Sequence, residues 1–167
     1  MNLFLTVGTQ LPFDRLTRAL DQWCASESVM DLQVFGQIGP VDRLNYAPRH
    51  FEWTRFLTPE AFGERFEAAS HIVSHAGMGT IITAMVAGKP VTILPRRAHL
   101  GEQRNDHQLA TIRHFADKPG VHTAETERDV PRAIMQMRDA APMPKNVHIK
   151  SLADTSLTDA IRAEIMA

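Results

Sequence analysis

Ser74-His75-Ala76-Gly77-Met78-Gly79-Thr80, running into Ile81-Ile82 and closed by Ala87-Gly88-Lys89-Pro90, decides the fold. The apolar run His71-Ile72-Val73 leads into this stretch, and a second run, Val91-Thr92-Ile93-Leu94, follows it. That order predicts strand, glycine turn, helix, strand. It sets a small turn at the carboxyl end of a strand and the amino end of a helix. Backbone N–H groups there stand beside the positive end of the helix dipole, which suits a diphosphate. Ligands of open α/β sheets sit at this edge. Two readings of the turn stand side by side. The N–H groups of Gly77 to Thr80, with the Thr80 hydroxyl, bind phosphate; or Gly77 and Gly79 only permit a tight corner. The turn is not a dinucleotide fingerprint, because Ile82 replaces the third glycine, and no Gly-Lys-Ser or Gly-Lys-Thr makes it a Walker loop.

Outward from this unit, strands alternate with helices. Leu3 to Val7 predicts a first strand ending at Gly8-Thr9-Gln10. Leu16, Ala19, Leu20 and Trp23 recur at helical spacing. Leu32, Val34 and Phe35 predict a second strand, Val41 to His50 a loop, and Phe51, Trp53 and Phe56 a short third strand. Thr58 and Pro59 open a helix as cap and first residue, with Phe62, Phe66 and Ala69 on its buried face. After the central unit, Pro95 to Glu102 reads as a polar, basic loop, and Gln103 to Ala116 as a helix. Val121-His122-Thr123 predicts a last strand, Val130 to Met137 a helix, and Leu157 to Ile165 another, joined through Ala140 to Lys150. The fold class is therefore α/β, a mostly parallel sheet with helices on both faces. One domain over 1–167 is expected, with helices from about residue 127 packed on it.

Composition narrows the function. A formal net charge of -1 gives no global field toward nucleic acid or an anionic membrane. The single cysteine, Cys24, allows no intrachain disulfide, suits a reducing compartment, and reads as a packing residue. No segment approaches the ~20 apolar residues of a membrane span. The opening Met1 to Gly8 is too short for a secretory signal, so a cytoplasmic location is expected.

Chemistry-bearing residues gather at the strand ends. His75, before the glycine turn, is placed either to donate to a phosphate oxygen or to satisfy a backbone carbonyl. His71 and His75 sit four apart on a strand rather than a helix, which does not make a zinc site. The cluster Arg96 to Gln108 follows one βαβ step later. Its carboxylate and amide side chains suit sugar hydroxyls, and its arginines suit phosphate or carboxylate; a solvated loop is the plain alternative. No Gly-x-Ser-x-Gly elbow and no cysteine pair is present. The chain shows a ligand-binding rim and no recognisable catalytic set.

Val7-Gly8-Thr9-Gln10 with Pro12 to Leu16, Gln37-Ile38-Gly39, Ser74 to Ile81, Ala87 to Pro90, Pro95-Arg96-Arg97 and Asp106 to Leu109 together resemble the glycosyltransferase family 28 C-terminal domain over roughly residues 1 to 125. Within that family it resembles the stand-alone donor-binding subunits of two-part UDP-sugar transferases of the exopolysaccharide and capsule type. The resemblance implies a Rossmann-like domain, the C-terminal half of a GT-B fold, which holds the UDP-sugar. The other half, which holds the acceptor and supplies the base, is then a separate membrane-anchored chain, as expected of a sequence that begins at the first strand of this half. Carried over by position, Gly8, Thr9 and Gln10 form the first turn facing the cleft. His75, Gly77, Met78, Gly79 and Thr80 meet the diphosphate, Glu102 and Gln103 hold donor-sugar hydroxyls, and Asp106 and His107 follow on the same edge. One departure is Thr83, where relatives place a ribose-binding glutamate.

The expected protein is an inverting hexosyltransferase subunit, active with its partner, making a lipid-linked bacterial exopolysaccharide or capsule. UDP leaves on helix-terminal N–H groups, His75, and Arg96 or Arg97, with no metal and no cofactor. Arg96 and Arg97 also suit a uronic acid carboxylate, which suggests glucuronosyl transfer. The chain is expected at the inner face of the membrane through that partner, which presents the lipid-linked acceptor. No nucleic acid is expected. A scaffold subunit that stabilises its membrane-anchored partner without binding donor is the alternative, favoured by Thr83.

Overall fold

A computed structural model describes residues 1–26, 32–42 and 45–140. The expected helix from Leu157 and most of the connection before it lie outside the described residues. The elements are β1 (Asn2–Thr6), α1 (Asp14–Ser26), β2 (Gln33–Gln37), β3 (Glu52–Thr54), α2 (Pro59–Ala68), β4 (His71–His75), α3 (Met78–Val86), β5 (Val91–Leu94), α4 (His107–Phe115), β6 (Val121–Thr123) and α5 (Val130–Asp139). Single 3-10 turns cover Ala98–Leu100 and Glu127–Asp129.

The six strands form one sheet in the order β3-β2-β1-β4-β5-β6, every neighbour parallel. This is a Rossmann-like sheet, as the alternation of elements predicts. Both faces are covered, which is why β1, β4 and β5 read as nearly unbroken apolar runs. On one face Leu3, Leu5, Val73 and Leu94 pack with Leu16, Leu20 and Trp23 of α1 and Ile134 and Met137 of α5. On the other, Phe4, Ile72, Val91 and Ile93 pack with Phe66, Ile81, Met85, Ile112 and Phe115. Among the described residues, no helix is long and apolar enough to cross a membrane.

Helix ends follow the local chemistry. Thr58 accepts from the Ala61 amide and Pro59 takes the first turn of α2. One boundary differs from expectation: α4 starts at His107, not Gln103. The segment before it folds on itself, with Gly101 in the left-handed region at φ +71° and the Ala98 amide donating to Asp106 Oδ1 at 2.8 Å. That contact holds Asp106 at the foot of the helix.

The chain leaves β1 toward β2 and β3, then returns to β4 on the other side of β1. The turns after β1 and β4 thus diverge at the point where strand order reverses, and a crevice opens between them.

Candidate functional site

β1 and β4 run side by side, Thr6 level with Ser74, so their two turns stand together. After β1 the chain bends through Gly8 at φ +81°, a conformation glycine takes without strain. After β4 it enters α3 through Gly77. The His75 imidazole fills the space between. A Cβ on Gly8 would come within 3.2 Å of its Cε1, and a Cβ on Gly77 would overlap its Nε2. Both glycines make room for one ring. Ser74 Oγ lies 3.4 Å from Nδ1. Burial, then the positive charge of Arg96, push the His75 pKa down to about 4 against a main-chain hydrogen bond with Thr6. The imidazole is neutral at physiological pH, so it offers one N–H and one lone pair rather than a cation.

Gly77 gives α3 no capping side chain, and its first turn carries no acidic residue. The amides of Met78, Gly79 and Thr80 therefore project from the positive helix end with no side-chain cap. A Cβ at Gly79 would meet nothing within 4 Å, so the space there is open. Thr83 is exposed, and its hydroxyl donates to the Gly79 carbonyl one turn back at 2.8 Å. Its hydrogen is spent on the helix backbone, which deepens the departure at this position.

Next to the ring is a cleft of about 260 Å³, lined by Val7 to Leu11, His75, Arg96, Gln103 and Gln108. The structure thus brings together Gly8, Thr9, Gln10, His75, Arg96 and Gln103. Gly77, Met78, Gly79 and Thr80 are not among its lining residues; Gly77 packs against the imidazole that is. Arg97, Glu102, Asp106 and His107 are not among its lining residues.

The charged side chains expected at the site have partners within the chain. Glu102 was expected to hold sugar hydroxyls. Instead Arg15 donates to both its oxygens, Nε to Oε1 at 2.9 Å and Nη2 to Oε2 at 2.8 Å, and the Arg97 amide donates to Oε2 at 2.9 Å. Both side chains are nearly covered, at 12% and 13% exposure. Arg15 also reaches the Pro95 carbonyl and Glu127. Burial opposes its charge, but the Glu102 and Glu127 carboxylates hold its pKa above the ordinary value. Arg96 was expected on an anion. Its guanidinium donates to the carbonyls of Pro12, Glu102, Val7 and Leu11. Burial, with Arg15 nearby and Glu102 opposing, lowers its pKa to about 10, so it stays charged. Arg97 turns toward the Glu125 carbonyl, and Asp106 Oδ1 is taken by the Ala98 amide. His107 is exposed at the start of α4.

One residue that matters here, Arg15, was not singled out as a site residue, and another, Gln108, stood only as the last member of the Arg96–Gln108 cluster. Arg15 reads as a helix opener because nothing local marks its pairing with Glu102. Gln108, buried, accepts from the Arg96 amide at 2.9 Å; its place beside Asp106-His107 was the available signal. Among the described residues, no group of three or more His, Cys, Asp or Glu is placed to hold a metal ion. A larger groove of about 830 Å³ runs along α1 from Asp14 to Ser26, past Arg15 and the start of α5. It is not lined by the α3 helix end or by His75.

The family model of the glycosyltransferase family 28 C-terminal domain matches residues 2–161. The chain belongs to that family. Among solved structures, the fold is similar to "Crystal Structure Analysis of the Glycotransferase of kitacinnamycin", with TM-score 0.53 and 18% identity, covering 83% of this chain and 34% of that one. It is also similar to "Spinosyn Forosaminyltransferase SpnP", with TM-score 0.50 and 20% identity, covering 83% and 35%. No curated protein matches the sequence. The likeness gives the fold: this family 28 domain is the C-terminal, Rossmann-like half of the GT-B architecture. The chain spans about a third of the length of the structures it matches.

Proposed function

We propose that this family 28 domain binds the donor of an inverting UDP-sugar glycosyltransferase. A second, membrane-anchored chain supplies the acceptor site and the base. The observation that carries the reading is the uncapped amino end of α3, open above Gly79 and set beside the switch-point cleft. Amides in a fixed array next to a helix dipole stabilise charge that develops on the departing diphosphate, without reorganisation at the moment of transfer. His75 adds one neutral N–H at most, and Gln10 and Gln103 are the amide side chains within reach of a sugar. Such a departure needs no metal.

The glucuronosyl reading loses one of its two carriers, because Arg96 is spent on main-chain carbonyls. A UDP-sugar donor remains the proposal, and a panel of UDP-sugars given to the assembled enzyme names the sugar. The product we infer is a lipid-linked bacterial exopolysaccharide or capsule, built at the cytoplasmic face of the membrane through the partner. Leu11 and Leu100, at 39% and 52% exposure on the rim, suit burial against that partner.

A calorimetric titration with UDP tests the core of this. Saturable heat in the full chain, lost in Gly79→Asp, supports donor binding. No heat at millimolar UDP, with the partner also present, favours the scaffold reading. Two observations favour that second reading: the Thr83 hydroxyl is turned onto Gly79, and Glu102 is committed to Arg15.

A further inference from the structure

Arg96 is a buried cation that the mechanism above does not use. It is 3% exposed. Nη1 donates to Pro12 O at 2.8 Å and Glu102 O at 3.3 Å, and Nη2 donates to Val7 O and Leu11 O, both at 2.8 Å. The guanidinium lies over the Phe13 ring, 4.6 Å from its centre. The carboxylate nearest in sequence, Glu102, spends its oxygens on Arg15 and the Arg97 amide. Glu102 favours the cation through space but makes no side-chain bond to it, and burying a cation whose direct hydrogen-bond partners are carbonyls is costly; an apolar side chain of similar volume would fill the space without that cost.

The identity of the four carbonyls says what the charge does. Val7, Leu11 and Pro12 bracket Gly8-Thr9-Gln10, the part of the β1–α1 turn that lines the cleft. The fourth, Glu102, belongs to the loop after β5. One planar fork ties both ends of a turn to a neighbouring loop. An ammonium, with a tetrahedral set of three donors, does not match that arrangement. Gln108 holds the arginine from behind through its main-chain amide. Beyond the turn, Gly8 faces His75.

We infer that Arg96 is a positioning residue: it holds the Gly8–Gln10 turn in the shape that receives the ligand and does not itself touch the ligand. The ligand part of this rests on the donor-binding reading above; the part about the turn does not.

The experiment has two arms on the full chain. In the first, amide hydrogen exchange is followed without ligand in wild type, Arg96→Lys and Gln108→Met. Exchange at residues 8–11 is expected to rise about tenfold or more in Arg96→Lys, and less in Gln108→Met, while β4 and α5 keep their protection. Unchanged exchange at 8–11 in Arg96→Lys overturns the inference whether or not UDP binds. In the second arm, UDP is titrated into wild type, Arg96→Lys, Gly8→Ala and the double variant. If Arg96 acts through the turn, the double variant binds about as weakly as the weaker single variant. Losses that multiply, for instance about tenfold and tenfold giving about a hundredfold, mean Arg96 meets the ligand directly and overturn the inference. Wild type that gives no heat with UDP defeats the donor-binding reading, and the exchange arm still decides the role of Arg96 in the turn.

Discussion

The two sides of the cleft are built on opposite principles. On the β5 side, Arg15, Arg96 and Glu102 are satisfied by one another and by main-chain groups, and Arg97 donates to the Glu125 carbonyl. On the β4 side, the first turn of α3 has no cap, no acidic residue and open space over Gly79. The charged side is closed, and the side with almost no charged residues is the one that offers donors. A polar residue near a cleft serves a ligand only if the fold has not already used it.

The largest expected effect tests whether the His75 ring belongs to the frame. Gly77→Ala forces the imidazole out of its seat, and the structure must give way by an amount worth about 3 kcal/mol in urea denaturation. Gly79→Ala, two residues on, meets nothing and is expected to be neutral or slightly stabilising. Equal losses in the two variants would erase the distinction between a filled corner and an open helix end.

Next is the closed side itself. Arg15→Met leaves Glu102 nearly covered without its cation, and about 2 kcal/mol of stability is expected to go. Methionine keeps most of the arginine stem, so the loss reports the ion pair rather than the packing. A change below about 0.5 kcal/mol, the size of an exposed pair, would mean that Glu102 is free for a sugar after all.

Much of this frame is legible in the sequence, and the illegible part has a physical cause. The run from His71 through Leu94 switches from strand to helix period at Gly77 and Gly79 and back at Gly88, so β4, α3 and β5 can be read locally. The start of α4 is misplaced because Gln103 to Asp106 have helix-compatible composition while a long-range folding of the loop onto Ala98 decides their path. The partners of Glu102 and Arg96 are illegible for the same reason. Arg15 and the carbonyls of Val7, Leu11 and Pro12 are more than 80 residues away in the chain, and no periodicity records such pairs. Whether a side chain is spent depends on tertiary structure; whether a turn needs glycine is written where it stands.

A smaller effect follows from the neutral state of His75. Its pKa of about 4 lies below the ordinary histidine value, so between pH 6.5 and 4 the unfolded chain binds a proton that the native chain refuses. Stability therefore rises with pH across that window and falls on acidification. From pH 7 to pH 6 this group alone removes about 0.7 kcal/mol. His71 and His122, also held down by burial, act with the same sign. The difference in slope between wild type and His75→Gln isolates the one ring. Parallel slopes would mean that the native ring takes up its proton as readily as the unfolded chain does, and so meets phosphate as a cation below about pH 6.5.

The smallest expected change in stability carries the sharpest test of the open side. Gly79→Asp places a carboxylate in the first turn of α3, where the dipole is positive and no residue yet supplies negative charge. Stability is expected to rise by about 0.5 kcal/mol, the usual worth of an acid at a helix amino end. The same carboxylate occupies the charge site proposed for the diphosphate, so UDP heat is expected to vanish from a protein that melts no lower than wild type. Loss of binding then has no explanation in unfolding. A variant that gains stability and still binds UDP as wild type does would show that the helix end is an ordinary uncapped terminus, and the case for a donor site at this edge would go with it.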